Sequence, residues 1–391
     1  MTPAPMAFES ALAELDERGL RRRRRSVRRL SHDTAEIELD GRRCVDFCSN
    51  DYLGIAAHPR VTAAFIEAAR EHGVGARASH LITGHQGEHE ALEEELAAFT
   101  HRERALLFST GYMANLGLAT ALVRKGGTVL GDALNHASLI DAGRIARASI
   151  DYYAHGDAAA LEAKLAGGAT GTALVLTDGV FSMDGDVAPL PAIAAACRRS
   201  GAFIAVDDAH GLGVLGASGG GLLEHFGLTV HDVPALVGTL GKAFGSFGAF
   251  VAGDAGLIET LIQRARTYIY TTALPVAVAA ATRAALAVSI SESWRRTRVL
   301  ALTRRFRALA AEAGIPLAVS ETPIQPILVG GADDAVEASQ RLLERGYFVA
   351  AIRPPTVPEG SSRLRIALSA AHRDADVEGL VASLSEVMSP E

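Results

Sequence analysis

Two periods of apolar and polar positions alternate along this chain. Between about residues 55 and 290, short apolar runs of strand length recur at Ala105–Phe108, Thr128–Gly131, Ile150–Ala154, Ala173–Thr177, Ala202–Val206, Ala235–Thr239 and Ala249–Ala252. Ala/Leu/Glu-rich segments of helical length separate most of them. Strands alternating with helices predict a mostly parallel sheet covered by helices on both faces. Ahead of this region, residues 1–54 read as an N-terminal segment, a helical arm followed by a strand or two. Arg43–Ser49 supplies the clearest apolar alternation there. Beyond it, an amphipathic helix over Trp294–Ala311 and strands near Ile327–Val329, Val349–Ile352 and Leu364–Leu368 predict a smaller α+β domain spanning 291–391. The expected fold class is therefore α/β, with a large domain over 55–290 and a small C-terminal domain.

Composition narrows the class. With 391 residues, 49% hydrophobic and 21% charged, the chain has ample apolar surface for a large core. A net charge of -7 argues against a nucleic-acid partner. The local exception, Arg21–Arg25 with Arg28 and Arg29, follows the acidic Glu14, Asp16 and Glu17 and reads as a solvated helix end or a substrate contact. Three cysteines, Cys44, Cys48 and Cys197, are too few for a disulfide framework and suit a reducing compartment. The longest apolar stretch, Ala273–Ile290, contains Pro275 and Arg283 and predicts a buried helix rather than a membrane span. No secretory signal is recognisable at the N-terminus, so the expected location is the cytoplasm, with no membrane partner.

In open parallel sheets ligands bind beyond the carboxyl ends of the strands, so the residues after each strand are where chemistry is expected. After Ala105–Phe108, Gly111 and Tyr112 open a helix whose free N–H groups suit an anion, although any strand–helix turn can use glycine. After Ala202–Val206 come Asp207, Asp208 and His210; two adjacent acids cannot both face the core, and either can serve as a helix cap. After Ala235–Thr239 comes Gly241-Lys242. Lysine is rare here, at Lys125, Lys164 and Lys242 only, while arginine is used everywhere else. A lysine at a buried strand end thus suggests amine chemistry that a guanidinium cannot perform. A Walker-type phosphate lysine is the other reading, but it would need the glycine loop before it and Ser/Thr after it. Asn135-His136 follows Thr128–Gly131, and Ser182 follows Ala173–Thr177. His85-Gln-Gly-Glu88-His89 also fits the H-x-x-E-H pattern of inverted zinc peptidases, a remote alternative in which Gly84 and Gly87 interrupt the required helix.

These motifs together resemble the α-oxoamine synthases, pyridoxal 5′-phosphate (PLP) enzymes of the aspartate-aminotransferase fold type I. The resemblance spans nearly the whole chain. It is carried by Ser49–Gly54, Val180–Asp186, Val206–Gly211, Gly241-Lys242 and Tyr270–Thr272, and by Ala351–Pro358 followed by Arg363 and Arg365. It implies that Lys242 holds PLP as a Schiff base and acts as base, that Asp207 pairs with the pyridine nitrogen, and that His136 stacks on the ring. Ser182 and His210 would lie near the phenolic oxygen. Gly111, Tyr112 and Thr239 would hold the phosphate, with Thr271 or Thr272 joining across a homodimer interface. Arg365 would receive the amino-acid carboxylate, and Arg21, Asn50 and Thr356 would contact substrate. The Ala351–Pro358 segment is typical of the branch that condenses L-alanine with a pimeloyl thioester, on coenzyme A or on an acyl carrier protein, in biotin biosynthesis. A glycine C-acetyltransferase is the alternative within the family. One departure is Gly75-Ala-Arg-Ala-Ser-His80, where family members usually carry a Gly/Ser-rich stretch.

Overall fold

A computed structural model describes residues 8–123, 125–167 and 173–388. Seven strands form its main sheet, in the spatial order Arg104–Phe108, Ala249–Gly253, Ala235–Thr239, Phe203–Asp207, Ala173–Asp178, Thr128–Asp132 and Ser149–Tyr153. All neighbours from Ala235–Thr239 to Ser149–Tyr153 pair in parallel; only Ala249–Gly253 runs against both of its neighbours. The predicted mostly parallel sheet is thus present, and each of the seven strands predicted for it falls within a residue of an observed one.

The strands are apolar on both sides because both sides are covered. Leu174, Leu176, Ala205 and Val237 pack into one core with Ala114, Leu118, Ile258 and Leu261 from helices. Their sequence neighbours Val175, Ile204, Val206 and Leu236 face the opposite core with Ile193 and Ala194. A period of two therefore survives inside runs that look uniformly apolar. Side chains cap two of the helices on the sheet: Thr110 accepts from the Met113 amide, and Asp254 from the Leu257 amide.

The sheet lies within one compact unit, Asn50–Ser182 with Asp186–Val299; the other comprises Met1–Ser49, Met183–Gly185 and Leu300–Glu391. The second boundary falls at Leu300, inside the helix Trp294–Glu312, rather than at 291. Of the N-terminal segment expected over 1–54, the described residues 8–49 fall in the unit of the C-terminal residues and 50–54 in the unit of the main sheet. The reason is pairing: Tyr347–Phe348 adds as a parallel strand to Arg42–Asp46, which continues through Glu36–Leu39 to Val27–Arg29. A second sheet in this unit orders Ile324–Gly330, Ser362–Ala367 and Ala350–Ile352.

The arginine run departs from its expectation. The helix Phe8–Glu17 ends before it, and Arg28 lies on the strand Val27–Arg29 opposite Glu38, to which it is ion-paired at 2.7 Å. Among the described residues no single helix is long and apolar enough to cross a membrane; Val276–Ser291 and Trp294–Glu312 reach that length only together, with a 69° bend.

Gly238 marks a close approach in the sheet centre. A Cβ there would sit 2.4 Å from Leu212 Cδ1 and 2.5 Å from Phe250 Cε1, both fully buried. Gly238→Ala is expected to lower stability by about 1–3 kcal/mol through overpacking, measured as the shift of the thermal or denaturant midpoint; an unchanged midpoint would contradict this packing.

Candidate functional site

Strand register brings the candidate residues to one edge of the sheet. Ala249 pairs with both Phe108 and Thr239, and Asp207 pairs with Asp178 on one side and Val237 on the other. The carboxyl ends of Arg104–Phe108, Ala235–Thr239, Phe203–Asp207 and Ala173–Asp178 therefore line up, as expected of a ligand-binding sheet edge.

Lys242 follows the strand ending at Thr239, and its Nζ lies 2.8 Å from His210 Nε2. The other ring nitrogen, Nδ1, is 2.7 Å from the Tyr52 hydroxyl, which donates to Asn50 Oδ1 at 3.2 Å. Because that hydroxyl gives its hydrogen to Asn50, it accepts from His210 Nδ1–H, leaving Nε2 as the acceptor for the Lys242 amine. Tyr52, fully buried, enters the sequence reading only as a letter of the Ser49–Gly54 motif. Its role there emerges only from three-dimensional proximity.

Asp207, 6% exposed, accepts from Asn115 Nδ2 at 2.6 Å and from the Ala209 amide at 3.1 Å. Asp208 is buried as well, against the expectation that two adjacent acids cannot both face inward. It lies just past the strand, where its Oδ2 accepts from the Leu222 amide at 2.6 Å and Gly179, Gly211 and Gly221 leave room for it. Burial pushes its pKa up to about 8. Neither acid is the N-cap of a helix: the helix Gly221–Phe226 is capped by Gly220, and Asp208 reaches it only across the fold, through the Leu222 amide. His136 is exposed by residue surface, yet desolvation of its ring lowers its pKa, opposed by the nearby Asp207 carboxylate. Its amide donates to Asp178 Oδ2 at 2.6 Å.

The remaining candidates of this unit are placed as follows. Gly111 opens the twelve-residue helix Gly111–Leu122, and a Cβ added to it would meet no atom within 4 Å. Thr239 Oγ1 donates to the Gly248 carbonyl at 3.2 Å and accepts from the Gly241 amide. Tyr112 is exposed and its hydroxyl is bonded to Asp141. Ser182 is half-buried at the turn after Ala173–Asp178. Thr271 Oγ1 donates to the Thr267 carbonyl, and Thr272 is exposed. In the other unit Arg365 is 6% exposed on the strand Ser362–Ala367. Thr356 accepts from Arg22 at 3.0 Å, and the Arg21 side chain pairs with Asp16.

The Gly75–His80 departure is accommodated at a cost. Arg77 takes φ 69°, the left-handed conformation that glycine adopts freely. The H-x-x-E-H pattern is not a metal site: His85 precedes the helix Gly87–Phe99, His89 Nε2 is 2.6 Å from the Leu274 carbonyl, and Glu88 is paired with Arg283. Among the described residues no group of three or more His, Cys, Asp or Glu is arranged to hold a metal.

A primary amine, a buried carboxylate whose hydrogen-bond partners are neutral donors, and open space at a helix N-terminus together fit PLP: an imine, a protonated pyridine nitrogen and a phosphate each find a complementary group. The comparisons agree with that donor set. The chain belongs to the aminotransferase class I and II family, whose model matches residues 42–384. Within it, the chain is 58% identical over 379 residues to the 8-amino-7-oxononanoate synthase of Thioalkalivibrio sulfidiphilus, covering 96% of each protein. It is 57% identical to that of Methylococcus capsulatus, over 99% of this chain and 100% of the relative. A serine palmitoyltransferase from S. paucimobilis, solved with a bound PLP–myriocin aldimine, superposes with a TM-score of 0.92 at 29% identity, covering 97% of this chain and 96% of that one. The protein is a PLP-dependent enzyme of fold type I.

His155 braces the loop that delivers His136. Its Nδ1 and Nε2 lie 2.8 Å from Asp132 and Asp186, and these hydrogen bonds raise its pKa to about 10. Its folded pKa is raised above the unfolded value of about 6.5, so the stabilisation is complete below that value and lost as pH rises through about 10. His155→Gln should therefore cost about 1–3 kcal/mol at pH 6, with the gap to the parent protein closing by pH 10. Equal gaps at both pH values in denaturant titrations would contradict the charged clamp.

Proposed function

We propose that this chain is an 8-amino-7-oxononanoate synthase, condensing L-alanine with a pimeloyl thioester in biotin biosynthesis. The observation that carries the reading is the 57–58% identity to synthases of that name over nearly the full length of both proteins. A carbon–carbon bond forms between the alanine α-carbon and the thioester carbonyl; the thiol carrier and carbon dioxide leave.

PLP, when bound, supplies an aldehyde for covalent capture of an amine and an electron sink for charge developing at the α-carbon. Lys242 is the proposed attachment point and the base that moves the α-proton, a role its 2.8 Å contact with His210 supports, since Nε2 there is a ready acceptor. Asp207 would keep the pyridine nitrogen protonated; its burial strengthens such a pairing, which is worth about 4 kcal/mol at 4 Å and an effective dielectric of 20. His136 would lie against the ring. Ser182 and His210 would face the phenolic oxygen, and Gly111, Tyr112 and Thr239 the phosphate. A homodimer, in which Thr271 or Thr272 of a second copy completes the phosphate seat, is supported by the exposure of Thr272 and of Tyr270 beside it. Arg365 is the proposed receptor of the alanine carboxylate, with Arg21, Asn50 and Thr356 on the substrate. The proposed compartment is the cytoplasm, which suits three unpaired cysteines, and the acyl carrier is coenzyme A or an acyl carrier protein.

Mass spectrometry of the product decides. With L-alanine and pimeloyl-CoA or pimeloyl-acyl carrier protein, the expected product has the mass of 8-amino-7-oxononanoate, and glycine with acetyl-CoA yields none. The reverse preference would assign the chain to glycine C-acetyltransferase chemistry instead.

A further inference from the structure

Asp207 and His136 stand on different strand ends, yet one buried amide joins them. Asn115, in the second turn of the helix Gly111–Leu122 and 1% exposed, places Nδ2 2.6 Å from Asp207 Oδ2 and 2.8 Å from Ser138 Oγ. Ser138 Oγ is in turn 2.7 Å from His136 Nδ1, and the Ser138 backbone N–H approaches the same nitrogen at 3.3 Å.

Donor and acceptor chemistry gives this chain a direction. A carboxylate only accepts, so the Asn115 nitrogen, not its oxygen, faces Asp207. The same NH₂ group donates its second hydrogen to Ser138 Oγ. The Ser138 backbone N–H only donates, so His136 Nδ1 presents a lone pair; the Ser138 hydroxyl, already an acceptor from Asn115, gives its own hydrogen to that nitrogen. The ring proton is then on Nε2. Asn115 Oδ1 is buried with no partner. An amide left with an unsatisfied oxygen is held in that orientation by something that repels the alternative, and the Asp207 carboxylate does so.

We infer that Asn115 is a positioning residue: it fixes the Asp207 carboxylate and, through Ser138, holds His136 as the neutral Nε2–H tautomer, setting the two ring-contacting groups as one unit. The inference rests on the proposed roles of Asp207 and His136 toward the cofactor. Its chemical sense is electrostatic. A neutral imidazole places no second positive charge beside a protonated pyridine, and a carboxylate with one oxygen tied to Asn115 and the other to the Ala209 amide cannot rotate away from it.

The test uses the full chain labelled with 15N-histidine, with PLP bound and with PLP removed, in the parent protein and in Asn115→Asp, Asn115→Ala and Ser138→Ala. In the parent, His136 is expected as a single Nε2–H tautomer between pH 6 and 9 with or without cofactor. Asn115→Asp is isosteric but sets two carboxylates side by side, so that they share a proton. It should mix the tautomers and weaken PLP binding by about tenfold or more, the loss of one hydrogen bond to a charged group. Asn115→Ala should do the same. Ser138→Ala should free the tautomer with about threefold or less effect on the PLP dissociation constant, because the Asp207 end stays tied. An Nδ1–H tautomer in the parent overturns the inference whatever the variants do. So does a folded Asn115 variant with unchanged tautomer and cofactor affinity. If the parent protein bound no PLP, the functional reading would fall while the tautomer spectra of the full chain still decided the positioning claim.

Discussion

A single primary amine held against a histidine at the edge of a parallel sheet is the contact on which the account depends. Lys242 reaches His210 because the strands carrying them, Ala235–Thr239 and Phe203–Asp207, are parallel neighbours whose carboxyl ends coincide. Antiparallel pairing would have sent one of the two to the far edge. Parallel pairing requires crossover helices on both faces, and these in turn require the two-sided apolar strands that make the sheet so easily recognised.

Placing charged groups at that edge is expensive, and the local structure is organised around the cost. Asp208 is accommodated by three glycines and the N–H of Leu222, with its pKa driven up to about 8. Asp178 is likewise pushed well up by burial and by Asp207, while the His136 amide it accepts from pulls the other way. The buried acids around Asp207 are thus biased toward their neutral forms or tied to backbone donors. A cationic ring nitrogen bound beside Asp207 would meet a carboxylate whose neighbours compete little for it.

Much of this was legible in the chain. Strand ends found from apolar runs located Lys242, Asp207, His136 and Gly111, because in a sheet buried on both faces burial and strand identity coincide. The scarcity of lysine singled out the amine. What escaped was pairwise. Asn115 and Tyr52 are ordinary polar letters inside a helix and a loop; only the fold brings them within 3 Å of Asp207 and His210. The grouping of residues 8–49 with the C-terminal residues escaped as well, since it depends on Tyr347–Phe348 pairing with the distant strand Arg42–Asp46, which no local period encodes. The adjacent acids misled for a related reason: alternation forbids two inward neighbours on a strand, but Asp208 is already past its end.

The most direct measurement of the central claim is reduction of the purified protein with borohydride, followed by peptide mapping. The account predicts one phosphopyridoxyl group, on Lys242. A label on Lys125 or Lys164, or none at all, would contradict it.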